Sequence, residues 1–397
     1  MCKKVDLDNM MYKVLLLLAF ASSISTALTS IGIVFGTILV LIQGISTRRV
    51  PRPDRKITVV VLIFSLLQVL IAIMSLNPGE SMLTVWGMTY RFLPLFFALL
   101  YIKSIQQVKW IFIMIMFSMT IDNAVGLYQF FFSSDHLPCG LNNTHTFYGD
   151  YLIMVLPILC LIAKKNDMPR WSRVWSVFML MFTFLMLILS MTRGAWVALL
   201  VMFLFWMIFD RRLRWKAVAA GGSIAVLCLF LSVVSPGFQQ RASSIINPQH
   251  EANTERVLMW ESAVNMTMDY PIFGVGQEQF GLLYNTQYIS PLAKERSMDG
   301  DPRHGHGHPH NNILKTAAEG GCVGVLAYFM LYGYFFYRLY CQYCKEERIM
   351  EVSYAMMGLL ILIGIQASGT TDTNITQVPI MREFWLLMGT LLAAGKL

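Results

Sequence analysis

Apolar runs long enough to cross a lipid bilayer recur along almost the entire chain, and no other feature limits its fold so tightly. A spanning helix needs roughly 17 to 25 mostly apolar residues. Twelve runs approach or meet that requirement, at 14–28, 31–45, 57–76, 82–102, 110–132, 147–163, 174–190, 195–209, 217–234, 313–337, 353–367 and 378–394. Only 14% of the 397 residues are charged. That is too few to cover the surface of a water-soluble chain of this size, so lipid solvates most of it. Helices satisfy their own backbone groups where water is absent. The expected fold is an all-α polytopic membrane protein with about twelve transmembrane helices, nine in 1–234 and three in 313–397, separated by a loop domain containing short helices at 235–312.

Basic residues orient these spans, because Lys and Arg near span ends are retained on the cytoplasmic side. With the amino terminus inside, the cytoplasmic segments collect Lys3, Lys4, Lys13, Arg48, Arg49, Arg52, Arg55, Lys56, Lys103 and Lys109. They go on to collect Lys164, Lys165, Arg170, Arg173, Arg211, Arg212, Arg214, Lys216, Arg338, Lys345, Arg348 and Lys396. Together these are 22 of the 31 basic residues, which sets both termini in the cytoplasm and 235–312 on the outer face. The same dispersal argues against nucleic acid as a partner despite a net charge of +8, since that reading needs one basic patch on a folded polar face. The first run lacks a small-residue cleavage site and is followed at once by more apolar sequence, so it reads as a span and not a cleavable leader. Cys341 and Cys344 have redox or metal spacing without a partner pair, and read as ordinary reduced thiols.

Connections beyond about 15 residues are usually functional or disordered, and the one at 235–312 carries helix signals. From Asn253 a helix is expected in which Val257, Trp260, Val264 and Met268 recur at three-to-four spacing, a stripe suited to the membrane surface or the bundle. Pro271 stops that helix after Asp269 and Tyr270. Gly274-Val275-Gly276 reads as a tight turn, since a phosphate cradle would need a preceding strand and a third glycine. The stretch 290–308 is polar and rich in Gly and Pro, as in segments that become ordered only on binding.

Candidate chemistry concentrates on that outer side. His304, His306, His308 and His310 alternate with Gly and Pro directly before an apolar run, and imidazole is the side chain best able to exchange a proton near neutral pH. Such a tract also resembles a metal-binding one. Zinc needs ligands that converge tetrahedrally, however, and no cysteine or supporting shell accompanies these, so no catalytic metal is expected. His310 stands apart because a helix beginning at Asn311 or Asn312 fixes its position. Arg193, between two apolar runs, is costly at that depth unless an anion meets it or it snorkels to outer headgroups. Arg256 lies one turn into the loop helix, where Glu251 and Glu255 offer surface pairing instead. Arg91, Arg382 and Asp372 fall at outer span ends or in the last outer loop. Asp122, beside Asn123 in the fifth run, is either part of an ion path or a helix-packing group.

Taken in order, these segments resemble the O-antigen ligase and polymerase superfamily. The residues that carry the likeness are Ser190-Met191-Thr192-Arg193-Gly194-Ala195, Glu255-Arg256 with Trp260, and Asp269 through Gly276 with Phe280. They continue in His308-Pro309-His310-Asn311-Asn312-Ile313-Leu314, then Glu319-Gly320-Gly321 and Gly324. The resemblance implies a glycosyltransferase of the bacterial inner membrane whose active site faces the periplasm. Most like it is an O-antigen ligase, which moves a finished polysaccharide from undecaprenyl pyrophosphate to a sugar of the lipid A core. Its expected partners are the undecaprenyl-pyrophosphate-linked glycan, the lipid A-core acceptor and membrane lipids, with no cofactor and no metal. In that family paired arginines meet the pyrophosphate and the histidine before Asn is the proposed base. Those roles fall on Arg193, Arg256 and His310, with Asn311, His308, Arg91, Arg382 and Asp372 completing the expected substrate-binding set. Three further histidines exceed the family pattern and make His308 a second candidate base.

Residue chemistry runs the same way. Pyrophosphate is already a competent leaving group, so guanidiniums that neutralise its growing charge can replace a divalent ion. A neutral imidazole suits the remaining task, deprotonating an acceptor hydroxyl as it attacks the anomeric carbon. A single displacement of this kind inverts that centre. Relatives use the same core to polymerise O-antigen units or to glycosylate proteins, so a polymerase or protein O-glycan ligase is the nearest alternative. A cation or metabolite transporter built on Asp122 and the histidines is the alternative from another class.

Overall fold

The computed structural model describes residues 6–47, 53–134, 136–141, 144–209, 239–240, 243–244, 247, 251–296, 307–346 and 352–397. Regular structure there is entirely helical. The longer helices are α1 (Leu7–Ala21), α2 (Thr26–Thr47), α3 (Arg55–Ile73), α4 (Pro78–Tyr90), α5 (Leu93–Tyr101), α6 (Ile105–Phe132) and α7 (His145–Lys164). They continue with α8 (Arg170–Leu189), α9 (Arg193–Phe209), α10 (Glu251–Asp269), α11 (Asn312–Glu346), α12 (Tyr354–Ser368) and α13 (Val378–Ala394). Short helical turns at Phe280–Leu283, Tyr284–Tyr288 and Pro291–Arg296 follow α10. Seven units, namely α2, α3, the α4–α5 pair, α6, α7, α8 and α11, are long and apolar enough to cross a membrane, while α9 and α12 are apolar but shorter. This is the pattern of a multi-pass membrane protein. The expected span at 217–234 lies outside the described residues, as do His304 and His306.

Two junctions differ from the hydropathy reading, each for a local reason. The first turn falls at 22–25 and not near Ser30, because polar groups set the helix ends there. Asp6 accepts from Asn9 N at 3.2 Å and starts α1, and Ser25 Oγ accepts from Leu28 N at 3.3 Å where α2 begins. The run at 82–102 is two helices, since Pro94 in the first turn of α5 has no N–H to continue the ladder from α4.

α7, α12 and α13 are buried along most of their length, and Tyr151, Tyr354 and Trp385 fill the centre. Ile31, Leu41, Leu66, Val174 and other large apolar side chains of α2, α3 and α8 face outward, as a lipid solvent permits. At one end of the bundle Lys103 pairs with Asp8, Lys109 with Asp167 at 2.9 Å, and Arg338 and Lys396 with Asp54 at 3.0 and 3.3 Å. Basic groups from distant parts of the sequence therefore share that end.

At the other end α10 packs on the first turns of α11. It buries Met259, Ala263 and Met266 against Val275, Phe280, Tyr284 and Ala318, forming a small second core. Of the two places open to the expected stripe, the bundle is not the one taken by Val257, Val264 and Met268, which are exposed. Met259, Ala263 and Met266 recur with the same helical spacing one face away, and their contact with α11 decides the rotation.

Candidate active site at the start of α11

The end of α11 that carries the candidate base is separated from the rest of that helix by Gly321, whose φ of 57° and ψ of −156° interrupt the helical path. An interrupted helix leaves amides and carbonyls without partners, and the 271–276 segment supplies them. Cys322 N and Val323 N donate to the Pro271 and Ile272 carbonyls at 2.8 and 3.1 Å, while Val275 N and Gly276 N donate to the Ala318 and Glu319 carbonyls at 2.9 and 3.0 Å. Backbone packs directly on backbone here, so a side-chain carbon at Gly321 would collide with the Ile272 carbonyl oxygen, and one at Gly274 with the Glu319 carbonyl. The Gly-Val-Gly turn is thus a splice into α11, in line with the turn reading of that motif.

His310 sits just before this anchored helix with φ of +49°, a region that residues bearing a Cβ rarely occupy. Its neighbours hold it there. Trp260 Nε1 donates to the Pro309 carbonyl at 2.8 Å. Asn311 Oδ1 caps α11 by accepting from Ile313 N and Leu314 N at 2.9 and 3.0 Å, and its Nδ2 donates to the Thr370 carbonyl at 3.1 Å. Asn312 and Asn374 are joined by two hydrogen bonds: Asn312 Nδ2 donates to Asn374 Oδ1 at 2.8 Å, and the Asn374 backbone N donates to Asn312 Oδ1 at 3.1 Å. This registers α11 against the loop between α12 and α13.

That register brings His310 Nδ1 to 3.1 Å from Asp372 Oδ1. Burial works to raise the Asp372 pKa, but the hydrogen bond and charge of His310 outweigh it and hold the carboxyl below the usual carboxylate range. An ionised carboxylate only accepts, so the assigned tautomer has Nδ1 donating to Asp372 and Nε2 carrying the free lone pair. His308 lies beside His310 with ring centroids 4.3 Å apart at 66°. Burial, and then the neighbouring His310, push its pKa down to about 4. The donor atoms of His308, His310 and Asp372 fall within 4.8 Å of one another, the one such cluster among the described residues.

Arg193 opens α9 and is only 8% exposed. Its Nη1 donates to the Ser244 carbonyl and Oγ at 3.0 and 3.2 Å and to Asn253 Oδ1 at 3.0 Å. The next residue, Gly194, packs so closely on Thr371 that an added Cβ would lie 2.5 Å from its hydroxyl, which sets Arg193 beside the turn that carries Asp372. Arg256 follows Asn253 by three residues on α10, a spacing that puts both on one face. Arg193, Asn311, His308, His310 and Asp372 therefore stand on elements gathered at one end of the bundle, and Arg256 is on the helix that reaches this end through Asn253 and Trp260.

Arg91 and Arg382 make contacts of their own. Arg91 Nη1 donates to the Thr376 carbonyl at 2.6 Å and lines a neighbouring cleft with Lys315, Glu319, Tyr328 and Trp385. Arg382 ties α13 to α2 and α4, donating to Thr29 Oγ1 at 2.9 Å and Tyr90 OH at 2.7 Å. Asp122 accepts from Leu141 N at 2.6 Å, the kind of contact a packing role requires. Sequence reading passed over Lys315, which is buried between Glu319 at 2.8 Å and Glu278 at 3.2 Å. Its signal was the spacing of four to Glu319 inside an apolar run.

Comparison with known proteins agrees with this region. A family described as O-antigen ligase matches residues 177–329, a segment that holds Arg193, Arg256 and His310 but not Asp372. The chain is 21% identical over 264 residues to the O-antigen ligase of Salmonella typhimurium (strain LT2), an alignment covering 62% of this chain and 60% of that protein. The match thus spans about 60% of the curated relative's length.

Proposed function

We propose that the chain, similar to the O-antigen ligase family over residues 177–329 and to a curated O-antigen ligase, is a membrane glycosyltransferase that moves a polysaccharide from undecaprenyl pyrophosphate to a sugar of the lipid A core. The reaction takes place at the periplasmic face of the bacterial inner membrane. His310 Nε2 takes the proton of an acceptor hydroxyl while the hydroxyl oxygen bonds to the anomeric carbon of the donor. The bond from that carbon to the pyrophosphate oxygen breaks, its electron pair leaves with undecaprenyl pyrophosphate, and the centre inverts. Arg193 and Arg256 meet the departing charge. In the free protein Nη1 of Arg193 donates to three neutral oxygens, which a pyrophosphate would replace with stronger charge-assisted bonds. Asp372 orients His310 and stabilises the imidazolium as it forms.

The observation that carries this reading is the pairing of His310 with Asp372 at 3.1 Å, one residue from the Thr371 against which Gly194 packs. Reconstitution with lipid-linked polysaccharide and purified lipid A core, read by gel mobility, tests it. The intact protein is expected to make the joined product with chelator present, and His310→Ala and Arg193→Ala to make none. Strong loss with chelator, restored by zinc, would sink the metal-free mechanism. Extension of one lipid-linked glycan by another would make the enzyme a polymerase.

A further inference from the structure

We propose that His308, His310 and Asp372 form an inhibitory binding site for a divalent transition-metal ion, with zinc as the best match. Zinc bonds of about 2.0–2.2 Å in a tetrahedron place neighbouring donor atoms roughly 3.3–3.5 Å apart. His310 Nδ1 and Asp372 Oδ1 already stand 3.1 Å apart. The His308 donor completes a triangle no wider than 4.8 Å, which rotation of one half-buried ring can close. The imidazole planes cross at 66°, so both can address one ion without stacking.

A second observation points to a ligand. His308 Nδ1 is buried and has no hydrogen-bond partner among the described residues, an arrangement that is costly unless something meets it. The site also has the outer support that metal ligands need. Thr373 N donates to Asp372 Oδ1 at 2.7 Å, and Trp260 holds the Pro309 carbonyl between the two histidines. Two nitrogens and one oxygen with an open fourth position suit zinc and its neighbours, and do not suit magnesium or calcium, which take oxygen ligands.

Occupancy replaces the proton shared by His310 Nδ1 and Asp372 with the ion, and the proton goes to solvent. A cation on Nδ1 makes Nε2 a weaker base, and Asp372 no longer answers the imidazolium. Binding follows from the geometry alone, whereas inhibition rests on His310 being the base proposed above.

The test uses the full chain without a polyhistidine tag, in detergent. A His304→Ala/His306→Ala background removes the adjacent tract, and cobalt(II) serves as the spectroscopic probe. One equivalent of cobalt should give tetrahedral visible bands that zinc displaces. Adding either His308→Ala or Asp372→Asn to that background should weaken binding at least tenfold, with size-exclusion profiles showing that each variant is folded. Bands missing from the background protein, or affinity unchanged in both variants, would overturn the site. In the transfer assay zinc should lower the initial rate while equal magnesium does not, and His308→Ala should raise the half-inhibitory zinc concentration at least tenfold. Acceleration by zinc would overturn the inhibitory role. Intact cobalt bands in a protein that transfers no glycan would refute the proposed function and leave the metal site standing.

Discussion

Replacing Asp372 with Asn removes one charge and almost no volume, so it isolates what the carboxylate does for His310. The contact is 3.1 Å long and the carboxylate side chain is 13% exposed, so little water competes with it. A hydrogen bond to a charged group contributes about 1.5–3 kcal/mol. At about 1.4 kcal/mol per factor of ten, its loss in the transition state lowers kcat roughly 10- to 150-fold. The upper part of that range is expected. An Asn amide can donate to Nδ1 and so move the ring proton to Nε2, the atom that has to accept. Asn Oδ1 can still accept from Thr373 N, at 2.7 Å in the native loop, and the fold should survive. Initial rates of transfer to lipid A core at saturating donor measure kcat, and donor titration measures KM, which is expected to stay within about threefold. A kcat within twofold of the native value would refute the orienting role. So would a loss confined to donor KM, which would make Asp372 a substrate contact.

Arg193→Lys keeps the charge but not the planar fork, and should cost at least tenfold in kcat/KM for the donor, read in the same assay. Gly321→Ala adds a side chain at φ of 57° against the Ile272 carbonyl. Thermal unfolding in detergent should show about 2–4 kcal/mol of lost stability, from backbone strain and loosened splice hydrogen bonds. Lys315→Ala leaves Glu319, 1% exposed, without its cation, and should destabilise by about 3 kcal/mol. The Lys315→Met/Glu319→Gln pair should recover most of that, and failure to recover would show that the ion pair is not the cause.

The helices were legible where polarity changes abruptly. The last expected span coincides with α13 because Gln377 and Gly395 bound a mainly apolar stretch, broken by Arg382 and Glu383. Legibility failed where a few polar atoms outweighed hydropathy, as at Asp6 and Ser25, and where two faces of one helix were equally apolar, as on α10. Arg193, Arg256 and His310 stood out because charge and imidazole are conspicuous among apolar neighbours. Which of the outer charged groups meet was another matter. His310 and Asp372 are 62 residues apart, with no periodicity linking them, and their meeting depends on the Asn312–Asn374 pair. Arg382 and Asp372 look alike in sequence as outer-side charges, yet Arg382 is taken up by Tyr90 and Thr29 while Asp372 reaches the imidazole.

The splice at Gly321 also bears on how the protein is assembled. The carbonyls of Ala318 and Glu319 before the break and the amides of Cys322 and Val323 after it are answered by 271–276. A chain in which 271–276 fails to dock on α11 leaves these groups unanswered, at several kcal/mol for each one that lies in lipid. Docking of 271–276 and completion of α11 are thus a single event, and a chain that fails at one fails at both.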